Sequence, residues 1–203
     1  MIRIKVCGIT NLEDATAAVE MGADALGFVF APLSKRRVGL EAVASIVAQL
    51  PPLLTTVGVF QDQPLDEVNE LMARCRLDLA QLHGDEDAAY LTGVHCRTLK
   101  AISLAEPKDL RQLAAYPGQA AFLLDAGRGG TGTAFDWRLA VEAKAFGRVV
   151  LAGGLTADNV TAAVHTVRPW GVDGASGTEA VPGRKDHAKM AAFIANARRA
   201  AVE

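Results

Sequence analysis

Residues 148–173 read RVVLAGGLTADNVTAAVHTVRPWGVD. An apolar, β-rich run at 148–151 gives way to the small pair Gly153-Gly154, then to apolar positions at helical spacing over 157–167, and a second apolar run closes the stretch at 170–173. Strand, helix and strand within so short a span form a parallel βαβ unit. The same alternation extends outward to both ends of the chain. Further strands are expected at 2–6, 25–30, 54–60, 77–82, 97–102 and 120–124, and further helices at 12–21, 40–49, 65–75, 87–91, 107–115, 137–145 and 187–200. That is βα eight times. Spread over 203 residues it leaves about 25 per unit, close to the least that a strand, a helix and two short loops occupy. An open sheet with helices on both faces is the alternative, but eight regular units with nothing left over favour an α/β fold of one domain, a closed (β/α)8 TIM barrel over residues 1–203.

Composition agrees with a folded domain and narrows its partners. Half of the residues are hydrophobic, and 21 Lys and Arg stand against 23 Asp and Glu with the signs interspersed. There is no broad basic footprint for nucleic acid and no polybasic tail for a membrane surface. No apolar run approaches the roughly 18 residues of a membrane span, and the start, MIRIKVCGIT, carries charge where a signal peptide would be apolar. The expectation is a cytoplasmic protein with a small-molecule partner, a monomer being favoured over a homodimer. Cys7, Cys75 and Cys96 match neither a zinc site nor a disulfide scaffold, and His83, His95, His165 and His187 show no ligand spacing, so no metal is expected.

A barrel of this kind carries its chemistry at the carboxyl ends of its strands and in the loops that follow. The seventh and eighth loops, LAGGLTADNV and VDGASGTE, place small residues ahead of helix starts, where unpaired N–H groups and the positive helix end suit a phosphate; the alternative is that these glycines only make tight turns. Phosphate contacts are therefore expected from Gly153, Gly154, Ser176 and Gly177. No G-x-G-x-x-G follows the first strand, which disfavours NAD.

Strand parity locates Cys7. Ile2, Ile4 and Val6 form the apolar set for the helix layer, so Arg3, Lys5 and Cys7 point inward, with Lys5 about 6–7 Å below the thiol. A nearby ammonium favours a thiolate and makes Cys7 a candidate base; an inert buried cysteine is the alternative. Such a lysine needs a countercharge, for which Asp173 and Asp125 are placed at strand ends. Asp125 closes the apolar strand at 120–124 and opens the most glycine-rich loop in the chain, which makes it a candidate general acid, or else an N-cap or partner of Arg128. The cluster Ser34-Lys35-Arg36-Arg37 is the densest positive run and lies over the mouth, where a guanidinium can clamp a carboxylate; a solvated surface run is the alternative. His83 in QLHG is a substrate contact, a proton shuttle or a capped polar residue, and Asp173 at the eighth strand's end completes the substrate-facing set.

With these residues in place, the sequence resembles the phosphoribosylanthranilate isomerases from end to end. KVCGITNLEDA at 5–15, GADALGFVF at 22–30, SKRRV at 34–38, QLHG at 81–84, GGTGTAFDW at 129–137, LAGGLTADNV at 151–160 and SGTEAVPGRKD at 176–186 occur in the family's order. The resemblance implies a cofactor-free Amadori rearrangement of a phosphorylated substrate in tryptophan biosynthesis, with Asp125 as acid, Cys7 as base, Arg36 facing the anthranilate carboxylate, and Gly153, Gly154, Ser176 and Gly177 on the phosphate. The chain departs from the family's usual VDVSSGVE at Gly174 and Ala175, which should loosen one wall of the mouth, and its sixth loop looks short for a lid. Isomerisation of another aminated sugar phosphate and a catalytically inactive phosphate-binding barrel are the rival readings.

Overall fold

The computed structural model describes residues 1–125 and 136–202. Strands β1 (Arg3–Cys7), β2 (Ala25–Val29), β3 (Thr55–Phe60), β4 (Leu79–Leu82), β5 (Arg97–Ser103), β6 (Ala121–Asp125), β7 (Arg148–Leu151) and β8 (Gly171–Gly174) close in chain order into one parallel barrel. The seam between β1 and β8 sets Lys5 beside Asp173. Between the strands run α1 (Leu12–Glu20), α2 (Leu40–Val47), α3 (Leu65–Cys75), α4 (Ala88–Gly93), a 3₁₀ helix (Pro107–Ala115), α5 (Trp137–Ala143) and α6 (Val160–Val167), and α7 (His187–Ala200) follows the last strand.

The period-2 pattern explains the two-layered core. Ile4 and Val6 are fully buried on the outer face of β1 and join the cluster that includes Met190, Phe193 and Ile194 of α7. Burying such side chains contributes about 1.5–3 kcal/mol each. The opposite parity fills the barrel itself. Cys7, Val29, Val57 and Val59 form one inner cluster, and Leu99, Ala101, Leu123 and Val150 form another.

Two elements depart from expectation. The segment at 107–115 winds as a 3₁₀ helix, and at its start the Asp109 carboxylate accepts from the backbone N–H groups of both Ala105 and Glu106 at 2.9 Å. More consequentially, the chain after β8 forms an antiparallel hairpin, β9 (Glu179–Val181) and β10 (Arg184–Lys185), before α7 begins. Its turn carries Pro182 and Gly183, and Gly183 takes φ +82°, a conformation that glycine adopts without strain.

Candidate active site

At the carboxyl ends of the strands lies a cavity of about 1190 Å³ whose wall includes Cys7, Arg36, His83, Asp125, Gly153, Gly154, Asp173 and Ser176. Eight of the nine residues singled out from the sequence thus share one bowl. The ninth, Gly177, stands behind the wall. A Cβ there would lie 2.0 Å from the Leu155 carbonyl oxygen, so only glycine lets the eighth loop reach the seventh, where Gly177 bridges to Thr156. Gly177 joins the seventh and eighth loops.

Cys7 is buried at the top of β1, and below it the Lys5 ammonium donates to Asp173 at 3.0 Å with both side chains less than a tenth exposed. Inward parity and the countercharge are as the alternation requires. The effect on the thiol is not. Burial pushes the Cys7 thiol above its ordinary value; the Lys5 charge pulls it down without offsetting this, and Asp173 adds to the rise. Lys5 itself titrates above its ordinary value, since Asp173 and Cys7 outweigh the opposing effect of burial. The expected net depression of the thiol fails because burial, the largest influence on it, outweighs the pull of the ammonium.

Asp125 ends β6 with its side chain 29% exposed, and its Oδ2 lies 3.6 Å from Nε2 of His83. His83 Nδ1 in turn lies 3.2 Å from Nε2 of the buried Gln81, so the imidazole is held between an amide and the carboxylate. The contact sets His83 beside the candidate acid. Arg128, offered as an alternative partner for Asp125, and the sixth loop lie outside the described residues. The loop that carries His83 is anchored by a pair that the sequence did not single out. Lys100, 1% exposed, donates to Glu86 at 2.7 Å and to the Gly84 carbonyl at 2.5 Å, while Glu86 accepts from the backbone N–H groups of Asp62 and Gly84 at 2.9 Å. Its traces in the sequence are a lysine on the outward parity of β5, in register with Leu82 and Phe122 of the outer core, and a glutamate four residues after the fourth strand.

Arg36 lies across Gly8 with its guanidinium half buried, whereas Lys35 and Arg37 are exposed. It is not a free cation. Its Nε donates to Glu179 Oε1 at 2.7 Å and its Nη2 to Oε2 at 2.6 Å. This bond raises the guanidinium's pKa further. Burial would raise the Glu179 carboxyl, but the hydrogen bond from Arg36 and the Lys185 charge hold it below its usual value.

On the far wall, Gly153 and Gly154 take φ +77° and +67°, turning the backbone toward α6, and the Asn159 side chain ties the turn to Gly154 and Thr156 at 3.0 and 2.8 Å. Of the two loops expected to precede helix starts, only the seventh is followed directly by a helix, α6. After Ser176 the chain enters the β9–β10 hairpin, so the next helix begins ten residues beyond Gly177 and no helix end stands behind the eighth loop. Gly174 also needs correction. Its missing Cβ points at α7, 2.8 Å from Phe193 Cε1 and 3.1 Å from Thr178 Cγ2, so the space a larger residue would take is filled by a phenyl ring and the cavity wall is not loosened there. Ala175 does line the cavity, against the cluster around Cys7. Among the described residues, no three His, Cys, Asp or Glu side chains converge as a metal site would require, and no helix is long and apolar enough to cross a membrane.

A family model described as N-(5'phosphoribosyl)anthranilate (PRA) isomerase matches residues 4–196. A curated relative from Geobacter sulfurreducens, named N-(5'-phosphoribosyl)anthranilate isomerase, is 51% identical over 202 residues, 98% of this chain and 99% of the relative. A crystal structure of phosphoribosyl anthranilate isomerase in complex with reduced 1-(o-carboxyphenylamino)-1-deoxyribulose 5-phosphate matches with a TM-score of 0.91 at 39% identity, covering 98% of this chain and 100% of that one. Monomers generated from the dimeric Thermotoga maritima isomerase match with a TM-score of 0.90 at 38% identity, again covering 98% and 100%.

Proposed function

The chain belongs to the phosphoribosylanthranilate isomerase family, and from that premise we propose how its cavity divides the work. The protein is an isomerase of tryptophan biosynthesis acting on N-(5'-phosphoribosyl)anthranilate. In our reading Asp125 gives a proton to the furanose ring oxygen, the ring opens to an imine, and the thiolate of Cys7 takes the proton from C2 to leave an enolamine, which tautomerises to the ketone. One proton is given and one is taken, which needs an acid and a base on different sides of one bowl. Cys7 and Asp125 on β1 and β6 supply that arrangement, and this is the observation on which the assignment rests.

The raised thiol has a consequence for this scheme. Burial and Asp173 oppose ionisation of Cys7, so the thiolate that does form is a correspondingly stronger base for a carbon acid. His83, beside Asp125, stabilises the carboxylate left when the proton has gone. Asp173 acts through Lys5 and so touches the base before it touches substrate. The substrate's phosphate sits against Gly153, Gly154 and Ser176, and its anthranilate carboxylate meets Arg36. A monomer is the working state in our reading, and a phosphorylated biosynthetic intermediate as substrate is consistent with a cytoplasmic location. Mass measurement in solution decides the first point.

The activity is tested by following the fluorescence of phosphoribosylanthranilate with the purified protein in the presence of a chelator. The expected result is its enzyme-dependent loss with formation of the carboxyphenylamino deoxyribulose phosphate. Stable fluorescence would refute the assignment.

A further inference from the structure

We propose that Glu179, on the hairpin after β8, is a positioning residue that sets how Arg36 presents itself to the substrate's carboxylate. The proposal rests on the reading of Arg36 given above. A guanidinium has five N–H donors in a planar fork. Glu179 occupies the Nε–H and one N–H of Nη2, at 2.7 and 2.6 Å, with its own side chain only 4% exposed. What remains free is one edge, made of the two hydrogens on Nη1 and the second on Nη2. Two of these lie parallel and match the oxygens of one carboxylate, so a planar aromatic acid can be met end-on while the side edge stays locked.

The lock is built into the fold. The guanidinium stem lies against Gly8, where an added Cβ would fall 2.6 Å from Arg36 Cδ. Glu179 is itself held, because its Oε1 also accepts from the Gly183 backbone N–H at 3.3 Å and faces the Lys185 ammonium at 3.5 Å. Lys185, whose side chain is fully buried, donates in addition to the carbonyls of Cys7 at 2.6 Å and Ala175 at 3.2 Å and to Thr178 Oγ1 at 3.1 Å. The hairpin therefore ties three strand ends together: the Cys7 end of β1, the loop after β2 that carries Arg36, and the loop after β8. Charge is balanced in a useful way. Arg36 and Lys185 against Glu179 leave one net positive charge at this wall, so pairing Arg36 with Glu179 does not abolish the pull on an anionic substrate. An Arg36 freed of Glu179 keeps its charge and loses its orientation, which predicts a defect in binding rather than in proton transfer.

The test is a double-mutant cycle of Glu179→Gln and Arg36→Met, read as KM and kcat on phosphoribosylanthranilate with thermal melts alongside. Glu179→Gln keeps the shape and leaves Lys185 its three other acceptors, so the fold should persist. Its KM should rise about tenfold with kcat changed by less than about threefold, and in the double variant KM should equal that of Arg36→Met alone, because Glu179 has nothing left to orient. Should Glu179→Gln fail to fold, Glu179→Asp, which keeps the charge near Lys185 but is a methylene too short for both bonds, should show the same rise in KM. An unchanged KM in either folded Glu179 variant, with a raised KM in Arg36→Met, would overturn the proposal and leave the Arg36 reading standing. Additive effects in the double variant would overturn it too. An unchanged KM in Arg36→Met would overturn both at once.

Discussion

Replacing Lys5 by Met removes one charge from the floor of the site and leaves most of the volume. In the folded protein the Lys5 ammonium and the Asp173 carboxylate, 3.0 Å apart and both nearly inaccessible, compensate each other. Breaking such a pair from one side strands the other charge and typically costs about 3–5 kcal/mol, a large part of the roughly 5–15 kcal/mol that holds a domain together. Lys5→Met should therefore lower the urea midpoint substantially, and Lys5→Met combined with Asp173→Asn should recover much of the loss. The thiol responds in a direction that the geometry decides. The pull of Lys5 on Cys7 disappears while burial and the Asp173 carboxylate keep pushing against the weaker pull of Lys185, so the already raised thiol moves higher. The alkaline rise of activity should follow it upward. The acid limb should stay in place, since the countercharge of Lys5 is Asp173 and Asp125 faces His83 instead. Alkylation of Cys7 as a function of pH, with Cys75 and Cys96 replaced, measures the thiol directly. Identical profiles for Lys5→Met and its parent would refute the argument, and so would a stability loss that the second substitution leaves untouched.

Other expectations follow from single contacts. Gly177→Ala places a Cβ 2.0 Å from the Leu155 carbonyl oxygen and must part the seventh and eighth loops, so KM should rise and chemical denaturation should show a loss of about 1–3 kcal/mol. Gly174→Val, which restores the family's usual residue type there, should destabilise by a similar amount through Phe193 and Thr178, and Phe193→Leu should relieve part of it. Asp14 is buried and accepts from the Lys185 backbone N–H at 2.9 Å with the His187 ring 2.9 Å away; these bonds overcome burial and hold its carboxyl below the usual range. A carboxyl so depressed contributes stability that is complete above its ordinary value and fades as pH falls through its lower, folded one, so Asp14→Asn should flatten the acid side of the stability profile.

What the sequence reveals here is what repeats or alternates. Eight apolar runs at regular spacing define the barrel, and the parity of Ile2, Ile4 and Val6 against Lys5 and Cys7 puts an ammonium under the thiol, with Asp173, one of its two candidate countercharges, across the seam. The sign of the thiol's shift is not legible in the same way, because burial opposes the charge and only the packed structure shows how dry the site is. The hairpin escapes a periodic reading for a different reason. β9 and β10 hold three and two residues, too few to show alternation, and Pro182-Gly183 was its one turn signal. Missing it hid the partner of Arg36 and led to the expectation of a helix end behind Ser176. At Gly174 a departure from the family's residue suggests a change at the surface of the mouth, whereas the parity that turns Asp173 inward turns the next residue toward α7.

The central claim is that Cys7 and Asp125 divide two proton transfers between them, and steady-state kinetics of Cys7→Ser and Asp125→Asn on phosphoribosylanthranilate test it most directly. Both substitutions keep the shape of the site and remove a proton acceptor or donor. Each should lower kcat by roughly 10²–10⁴-fold or more with KM changed by less than about threefold and with wild-type melting behaviour. Retention of most of kcat by either variant would contradict the account, by showing that the thiol is only a packing residue or that the proton for the ring oxygen comes from elsewhere.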